Sequence, residues 1–209
     1  MAITKRGVGR SEREPGAAWR VSSRVRVDLT RARVIGIVNT TPDSFFAPSR
    51  ASAGRAVRAA LAMIEAGAAG VDIGGESTRP GAAPVEAREQ VRRVAPVVRE
   101  VARRAPAGVV ISVDTTSAHV AAAALDAGAN AINDVSAGRD DAGMLALAGR
   151  RGCGLILMHR LAPPSRDAYS TRYGRRSGVA PPRYGDVVLE VGAFLAGRAV
   201  AALEAGVRA

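Results

Sequence analysis

The feature that most constrains this chain is a repeated alternation of short apolar runs with longer alanine-rich segments. The apolar runs are rich in Val and Ile without polar alternation, which predicts strands buried on both faces, as in a parallel sheet. Strands that alternate with helices over short connections predict an α/β architecture. The predicted strands are 34–38, 71–73, 109–113, 131–133 and 155–158, and the predicted helices are roughly 52–66, 85–104, 117–127, 140–150 and 185–205.

A short phrase, apolar-acidic-Ala-Gly-small, recurs at 64–68, 125–129 and 203–207. Its glycine is typical of a helix C-terminus, where a left-handed backbone conformation carries no Cβ penalty. A strand follows the first two copies, whereas only two residues follow the third. Because a complete eight-unit barrel needs about 250 residues, we predict an incomplete TIM-type (β/α)8 barrel of about five units. A doubly wound open sheet of five strands is the competing prediction.

The first part of the chain is predicted to contain two different segments. Residues 1–18 are strongly charged, which predicts a disordered basic tail, and residues 19–209 are predicted to form the partial barrel domain. Apolar residues alternate near the start of that domain, which predicts a hairpin before the first barrel strand. These residues are Trp19, Val21, Val25, Val27 and Leu29.

The net charge of +11 raises the question of nucleic-acid binding. The excess of basic residues lies at 1–33 and 150–209, outside the periodic body, and aromatics are only 3% of the chain, too few for a base-stacking surface. We therefore predict no nucleic-acid partner. No apolar run reaches the length of a membrane span, so no membrane partner is predicted. The one cysteine, Cys153, predicts a reducing, cytoplasmic setting without internal disulfides.

Polar side chains follow all five predicted strands, where the sites of parallel barrels are built. Asn39, Asp114 and Asn133 end apolar strands, where burial is costly without a partner, so a ligand role is favoured. Other polar residues fit helix capping or turn formation better, because their side chains satisfy exposed backbone N–H groups. These are Thr116, Ser117 and Asp140. For His159, site lining and a structural hydrogen bond both stay open.

The chemistry of these strand ends is limited to a few group types. Lys5 is the only lysine, which argues against Schiff-base chemistry, and no nucleophile elbow is present. Carboxylates, amides, hydroxyls and one arginine remain. This set suits a polar heterocycle held by hydrogen bonds, with a metal-held anion nearby.

Four segments with these residues resemble dihydropteroate synthase. In chain order they read IVNTTPDSF at 37–45 (Ile37-Val38-Asn39-Thr40-Thr41-Pro42-Asp43-Ser44-Phe45), DIGGESTRPG at 72–81, SVDT at 112–115 and INDV at 132–135. The similarity extends over roughly residues 19–207. It implies a transferase of folate biosynthesis that condenses 6-hydroxymethyl-7,8-dihydropterin diphosphate with 4-aminobenzoate, giving 7,8-dihydropteroate and diphosphate.

The resemblance also implies roles for individual residues. Asn39 is similar in position to the residue that ligates Mg²⁺ beside the diphosphate. Thr78 and Arg79 are similar to the residues that serve the diphosphate and the aminobenzoate, and Pro80 and Phe45 to those that enclose the aminobenzoate. Asp114 and Asn133 are similar to residues of the pterin pocket. A homodimer is the family's expected assembly.

Some family features are absent from the sequence. Residues 46–49 are Phe-Ala-Pro-Ser where the family has Ser-Asp-Gly-Gly, and 160–183 is atypical. The family's later Asp-Pro-Gly, pterin-contacting lysine and Arg-x-His do not occur. We therefore expect a chain truncated before the last three strand–helix units, with little or no turnover. The alternatives are a non-catalytic pterin-binding paralogue, a gene fragment, or a methyltetrahydrofolate-binding methyltransferase domain.

Overall fold

A computed structural model of the chain describes residues 17–40, 50–78, 82–166 and 183–208. A short antiparallel hairpin precedes five parallel strands, and helices follow them. The hairpin strands are β1 (Ala18–Arg20) and β2 (Arg26–Asp28), and the parallel strands are β3 (Ile35–Asn39), β4 (Gly70–Gly74), β5 (Val110–Asp114), β6 (Ala131–Asp134) and β7 (Gly154–Leu157). The helices are α1 (Arg50–Glu65), α2 (Ala87–Arg104), α3 (Ala118–Ala127), α4 (Met144–Arg151) and α5 (Val187–Glu204).

The five strands are hydrogen-bonded in the order β3-β4-β5-β6-β7, and every pair is parallel. This confirms the predicted strands and their parallel pairing. A doubly wound sheet would reverse its strand order part-way across. The order here runs in one direction, as in consecutive units of a β/α barrel, so the competing open-sheet prediction is wrong.

The two faces of the sheet differ in chemistry because side chains alternate along each strand. The outer face carries Val38, Ile73, Val113 and Ile132, which join the main buried cluster with the helices. Helix α2 supplies four buried valines to this cluster, at the i, i+3, i+4, i+7 spacing of a core-facing helix face. They are Val94, Val97, Val98 and Val101.

Ile37 and Ile156 lie in register with polar residues of the inner face, which is apolar throughout only at its N-terminal end. There the hairpin packs against Val110 and Ala131, which fall in a second buried cluster with Val21, Val25 and Val27. The predicted hairpin is thus confirmed, and it packs over the N-terminal end of the sheet's inner face. Residues 1–16 of the predicted tail lie outside the described residues, and Ala18 begins β1.

The recurring phrase ends helices as predicted. Its three glycines have φ values of 99°, 114° and 90° at Gly67, Gly128 and Gly206. At Gly128 the backbone N–H donates to the carbonyls of Ala124 and Leu125, closing the end of α3. The left-handed conformation therefore satisfies the orphan carbonyls of the last turn, which is why the phrase recurs.

The predicted start of the fourth helix, at residue 140, is wrong by four residues. The Asp134 carboxylate accepts hydrogen bonds from the Ser136 amide, the Ser136 hydroxyl and the Gly138 amide, each at 2.7 Å. These bonds hold a turn after β6, so α4 begins only at Met144.

Ser117 occupies the predicted N-cap position of α3, whereas Asp140 lies in the turn before α4, whose N-cap residue is Gly143. Ser117 makes no side-chain capping bond, and the Asp141 carboxylate instead accepts the amide of Ala118 at 2.8 Å. Asp140 is paired with Arg160.

Within the described residues, no helix is long and apolar enough to cross a membrane.

Close contact between β4 and β5 gives a test of the fold. A Cβ added at Gly70 would lie 2.5 Å from both Cβ and the carbonyl oxygen of Val110. Because backbone atoms cannot yield cheaply, Gly70→Ala is expected to lower the free energy of unfolding by about 1–3 kcal/mol. Urea unfolding followed by circular dichroism measures this.

Gly192 of α5 supplies the matched control. Nothing lies within 4 Å of a Cβ added there, so Gly192→Ala is expected to raise the free energy of unfolding by about 0.5–1 kcal/mol. A Gly70→Ala variant as stable as the wild-type chain would contradict the described packing of β4 on β5.

Candidate functional site

A row of polar residues crosses the inner face at the C-terminal ends of the strands. Asn39 is opposite Gly74, Gly74 is opposite Asp114, and Asp114 is opposite Asn133 in the register of four neighbouring strands. In parallel strands, residues in register point to the same face. Three of the predicted site residues, Asn39, Asp114 and Asn133, are therefore brought together.

Gly74 leaves open the space between two of these side chains. A Cβ added there would lie 3.4 Å from Asn39 Oδ1 and 3.6 Å from Asp114 Oδ2. An amide oxygen and a carboxylate oxygen thus face the same small volume. Any larger residue at position 74 would fill the space in which the two oxygens converge.

Asp72 lies one layer deeper on the same face, in register with Ser112. The Ser112 hydroxyl donates to Asp72 Oδ1 at 2.6 Å, and the Asn133 amide nitrogen donates to Asp72 Oδ2 at 2.9 Å. Burial raises the pKa of Asp72, and these two hydrogen bonds oppose the shift. Both oxygens of this buried carboxylate therefore have partners within the protein.

Asp114 is different, although it lies only one strand away. The side chain is half-buried overall, but its Oδ1 is fully buried and has no hydrogen-bond partner among the described residues. Burial raises the pKa of Asp114 to about 7, and the negative charges of Asp72, Glu76 and Asp134 add to the shift. A buried acceptor without a donor is costly, and a ligand that brought a donor to Asp114 would remove that cost.

Glu76, which follows β4, is hydrogen-bonded to two residues near the start of α2. Its carboxylate accepts the backbone amide of Val85 at 2.8 Å and the Gln90 side-chain amide at 2.9 Å. The hydroxyl of Thr115 then donates to the Gln90 amide oxygen at 3.3 Å. This network links Glu76 and the backbone of Val85 to the N-terminal turn of α2 and to the residue that follows β5.

Thr78 lies two residues after Glu76 and is exposed. Together with Asp114 and Glu76 it lines a cavity of about 270 Å³. The predicted site residues Phe45, Arg79 and Pro80 lie outside the described residues. Of the seven predicted site residues, the structure thus places four around the inner face and the adjoining cavity.

The sequence reasoning missed Asp72, Ser112 and the Glu76–Gln90 pair as site components. One signal could have identified Asp72. It is a carboxylate inside an apolar strand, on the same alternating face as Gly74, and a buried carboxylate needs partners. The partner of Glu76 is fourteen residues away on a helix, and no local pattern marks it.

His159 follows β7 and packs against α5. Its ring meets the Phe194 ring edge to face, with 4.9 Å between centroids, and lies 6.1 Å from the Tyr184 ring. These contacts anchor α5 beside the C-terminal end of the sheet. They favour a packing role for His159 among the described residues.

The sequence profile of the pterin binding enzymes matches residues 35–209. The chain belongs to this family. The match contains all five parallel strands and the whole inner-face row, so the family assignment and the geometry concern the same part of the molecule.

Individual relatives of this pterin-binding family member are dihydropteroate synthases. The Mycobacterium leprae enzyme is 41% identical over 182 residues, which is 87% of this chain and 60% of that protein. The Escherichia coli enzyme is 37% identical, with the same coverage of both chains. The chain spans about 60% of the length of these curated relatives.

Solved structures of the same enzyme are similar to this pterin-binding family member. Dihydropteroate synthase of Xanthomonas albilineans with 4-aminobenzoic acid superposes with a TM-score of 0.73 at 39% identity, over 90% of this chain and 63% of that one. The Yersinia pestis enzyme with a sulfonamide drug gives 0.76 at 34% identity, over 92% and 65%. These neighbours are TIM barrels, which confirms the predicted five-unit portion of that fold.

The raised pKa of Asp114 predicts how stability depends on pH. Between its ordinary value of 3.8 and about 7, the folded chain keeps a proton that the unfolded chain has released. Stability therefore falls as pH rises through this window, by up to about 1.4 kcal/mol per pH unit, and levels off above it. Asp114→Asn removes the ionisation.

Urea unfolding of the wild-type chain and of Asp114→Asn between about pH 5 and pH 8 checks this. The variant is expected to gain stability relative to wild type as pH rises, with the gain ending near pH 7. Two parallel stability curves would show that Asp114 titrates at its ordinary pKa, contrary to its described burial.

Proposed function

We propose that this chain acts in dihydropteroate synthesis, in which 6-hydroxymethyl-7,8-dihydropterin diphosphate condenses with 4-aminobenzoate to give 7,8-dihydropteroate and diphosphate. The observation that carries the proposal is the buried Asp114 Oδ1, which lies beside Asn133 and has no hydrogen-bond partner among the described residues. Similarity to dihydropteroate synthases along most of the chain supports it.

The pterin end of the substrate suits the inner-face row. A 2-amino-4-oxo pteridine presents an amino group and a ring N–H along one edge, and both are hydrogen-bond donors. Asp114 offers carboxylate acceptors, and Asn133 can both accept and donate. Hydrogen bonds to a buried carboxylate are worth about 1.5–3 kcal/mol each, enough to orient the ring.

The diphosphate and the aminobenzoate are proposed to bind near the segments that follow β3 and β4. Thr78 and Arg79 would hold the diphosphate and the aminobenzoate, and Pro80 and Phe45 would enclose the latter. Thr78 supports this by lining the same cavity as Asp114. In the reaction the arylamine nitrogen forms a bond to the pterin methylene carbon. The bond between that carbon and the diphosphate oxygen breaks, and the amine loses a proton.

Mg²⁺ is the proposed metal, with Asn39 as a protein ligand. Among the described residues, no group of three or more His, Cys, Asp or Glu side chains could hold a metal. Mg²⁺ commonly keeps several waters and binds through one or two protein oxygens plus substrate phosphates. Asn39 Oδ1, facing the open space at Gly74, fits that mode. A bound Mg²⁺ would neutralise charge that develops on the leaving diphosphate.

The setting and assembly are proposals as well. A reducing, cytoplasmic location agrees with the single cysteine, Cys153, which is buried and not paired. We propose residues 19–209 as one pterin-binding domain, preceded by the basic segment 1–18. A homodimer is proposed from the family resemblance, with small molecules as the substrates and neither nucleic acid nor membrane as a partner.

A titration with 6-hydroxymethylpterin, read from pterin fluorescence, tests the pterin site. We expect saturable binding by the wild-type chain and at least tenfold weaker binding by Asp114→Asn, because the charged acceptor is lost. Asp126→Asn is the control, since Asp126 is an exposed carboxylate paired with Arg151 on the outer helices. Absence of wild-type binding, or equal binding by Asp114→Asn, would overturn the proposed site.

An assay of dihydropteroate formation with both substrates and Mg²⁺ then separates the two functional alternatives. Product formation establishes the condensation for this chain and overturns the sequence-based expectation of little or no turnover. Saturable pterin binding without product instead supports a non-catalytic pterin-binding protein, and it overturns the proposed reaction while keeping the proposed pterin site.

A further inference from the structure

Asp72 has no assigned role in the proposed reaction, yet it lies on the inner face two residues before Gly74 of the inner-face row. It is 8% exposed and accepts hydrogen bonds from Ser112 on one oxygen and from Asn133 on the other. Burial of a carboxylate costs several kcal/mol unless its oxygens are satisfied. Both oxygens of Asp72 are satisfied, so its burial on the inner face is stable only while Ser112 and Asn133 keep these hydrogen bonds.

The contact with Asn133 restricts the orientation of that amide. An ionised carboxylate can only accept hydrogen bonds, so the Asn133 side chain must present its NH₂ group to Asp72. The amide oxygen is on the other branch of the same planar group and is therefore directed away from Asp72. Without such a partner, the amide could turn over and exchange its donor and acceptor.

Ser112 fixes the carboxylate itself. Its hydroxyl donates to Asp72 Oδ1 at 2.6 Å, and the two residues are opposite one another in the β4–β5 register. The carboxylate of β4 is therefore held by Ser112 of β5 on Oδ1, and Oδ2 is left for Asn133 of β6. The chain of contacts runs from a buried hydroxyl, through a buried carboxylate, to a residue of the site.

The consequence for a ligand follows from the neighbouring Asp114. Its Oδ1, which has no partner in the part of the chain that the structure describes, is an acceptor, and Asp114 is opposite Asn133 in the register. With the amide fixed as described, Asn133 Oδ1 adds a second acceptor to the same row. A ligand edge that carries hydrogen-bond donors satisfies both, and an edge that carries an oxo group in place of an amino group leaves an acceptor unpaired.

We propose that Asp72 is a positioning residue that fixes the Asn133 amide, so that the site selects ligands with a donor-bearing edge. The inference rests on the proposed pterin-binding function of the site. Asp72 itself does not touch the ligand in this account, and its whole effect passes through Asn133.

The test compares two fluorescent probes, 6-hydroxymethylpterin and 6-hydroxymethyllumazine, which carries an oxo group where the pterin carries the amino group. The measured quantity is the ratio of their dissociation constants. We expect the wild-type chain to prefer the pterin, and Asp72→Asn to reduce this preference about tenfold or more, because the amide of Asn133 is then free to turn over.

A double-mutant cycle shows whether the effect passes through Asn133. In an Asn133→Ala background, Asp72→Asn is expected to change the ratio less than twofold. An equal reduction in both backgrounds would overturn the proposal, because it would indicate a direct electrostatic effect on Asp114 or a general loss of structure. An unchanged ratio in the single Asp72→Asn variant would also overturn it.

Asp141→Asn is the matched control for loss of a structural carboxylate. Asp141 accepts the amides of Ala118 and Gly143 and lies outside the inner-face row. It is expected to lower stability without changing the ratio. A comparable change of the ratio in Asp141→Asn would assign the Asp72 effect to destabilisation and overturn the proposal.

A ligand-free measurement separates failure of this inference from failure of the proposed function. The side-chain amide NMR signals of Asn133, identified by their loss in Asn133→Ala, are expected to exchange slowly with water and to exchange faster in Asp72→Asn. If the wild-type chain binds neither probe, the proposed function is wrong, and this signal alone decides. Unchanged exchange in Asp72→Asn would overturn the positioning role.

Discussion

The site depends on a difference in hydrogen bonding between two neighbouring buried carboxyl groups. Asp72 and Asp114 lie on adjacent strands of the inner face, and burial raises the pKa of both. Two hydrogen bonds offset the burial of Asp72, whereas Asp114 Oδ1 has no partner among the described residues. The first carboxylate is therefore structural, and the second is available to a ligand whose donors recover the lost solvation.

The parallel sheet makes this difference possible. Its register places Asp72 beside Ser112 and Asp114 beside Asn133, so each carboxylate has a defined set of neighbours. The outer face is packed against helices through Val and Ile side chains, which holds the strands in that register. The hairpin covers the apolar N-terminal end of the inner face and leaves the polar C-terminal end for chemistry.

The element pattern was predictable from sequence because it depends on local signals. Buried parallel strands are continuous apolar runs, and glycine marks the helix ends, so strands, helices and the polar strand ends could all be assigned. The family resemblance identified Asn39, Asp114 and Asn133 as one site. What the sequence alone did not reveal depends on contacts between distant residues. Ser112 and Asp72 meet across forty residues, and Glu76 holds Gln90 on another element. The start of α4 was misplaced because three hydrogen bonds to Asp134 stabilise a turn there.

The central claim is that the buried Asp114 carboxylate receives the donor edge of a pterin. A crystal structure of the chain with 6-hydroxymethylpterin tests it most directly. The account predicts the pterin amino group and ring N–H at hydrogen-bond distance, about 3 Å, from Asp114 and Asn133 oxygens, with Asp72 still bonded to the Asn133 nitrogen. A pterin bound elsewhere, or bound on the inner face with Asp114 Oδ1 still unpartnered, would contradict it.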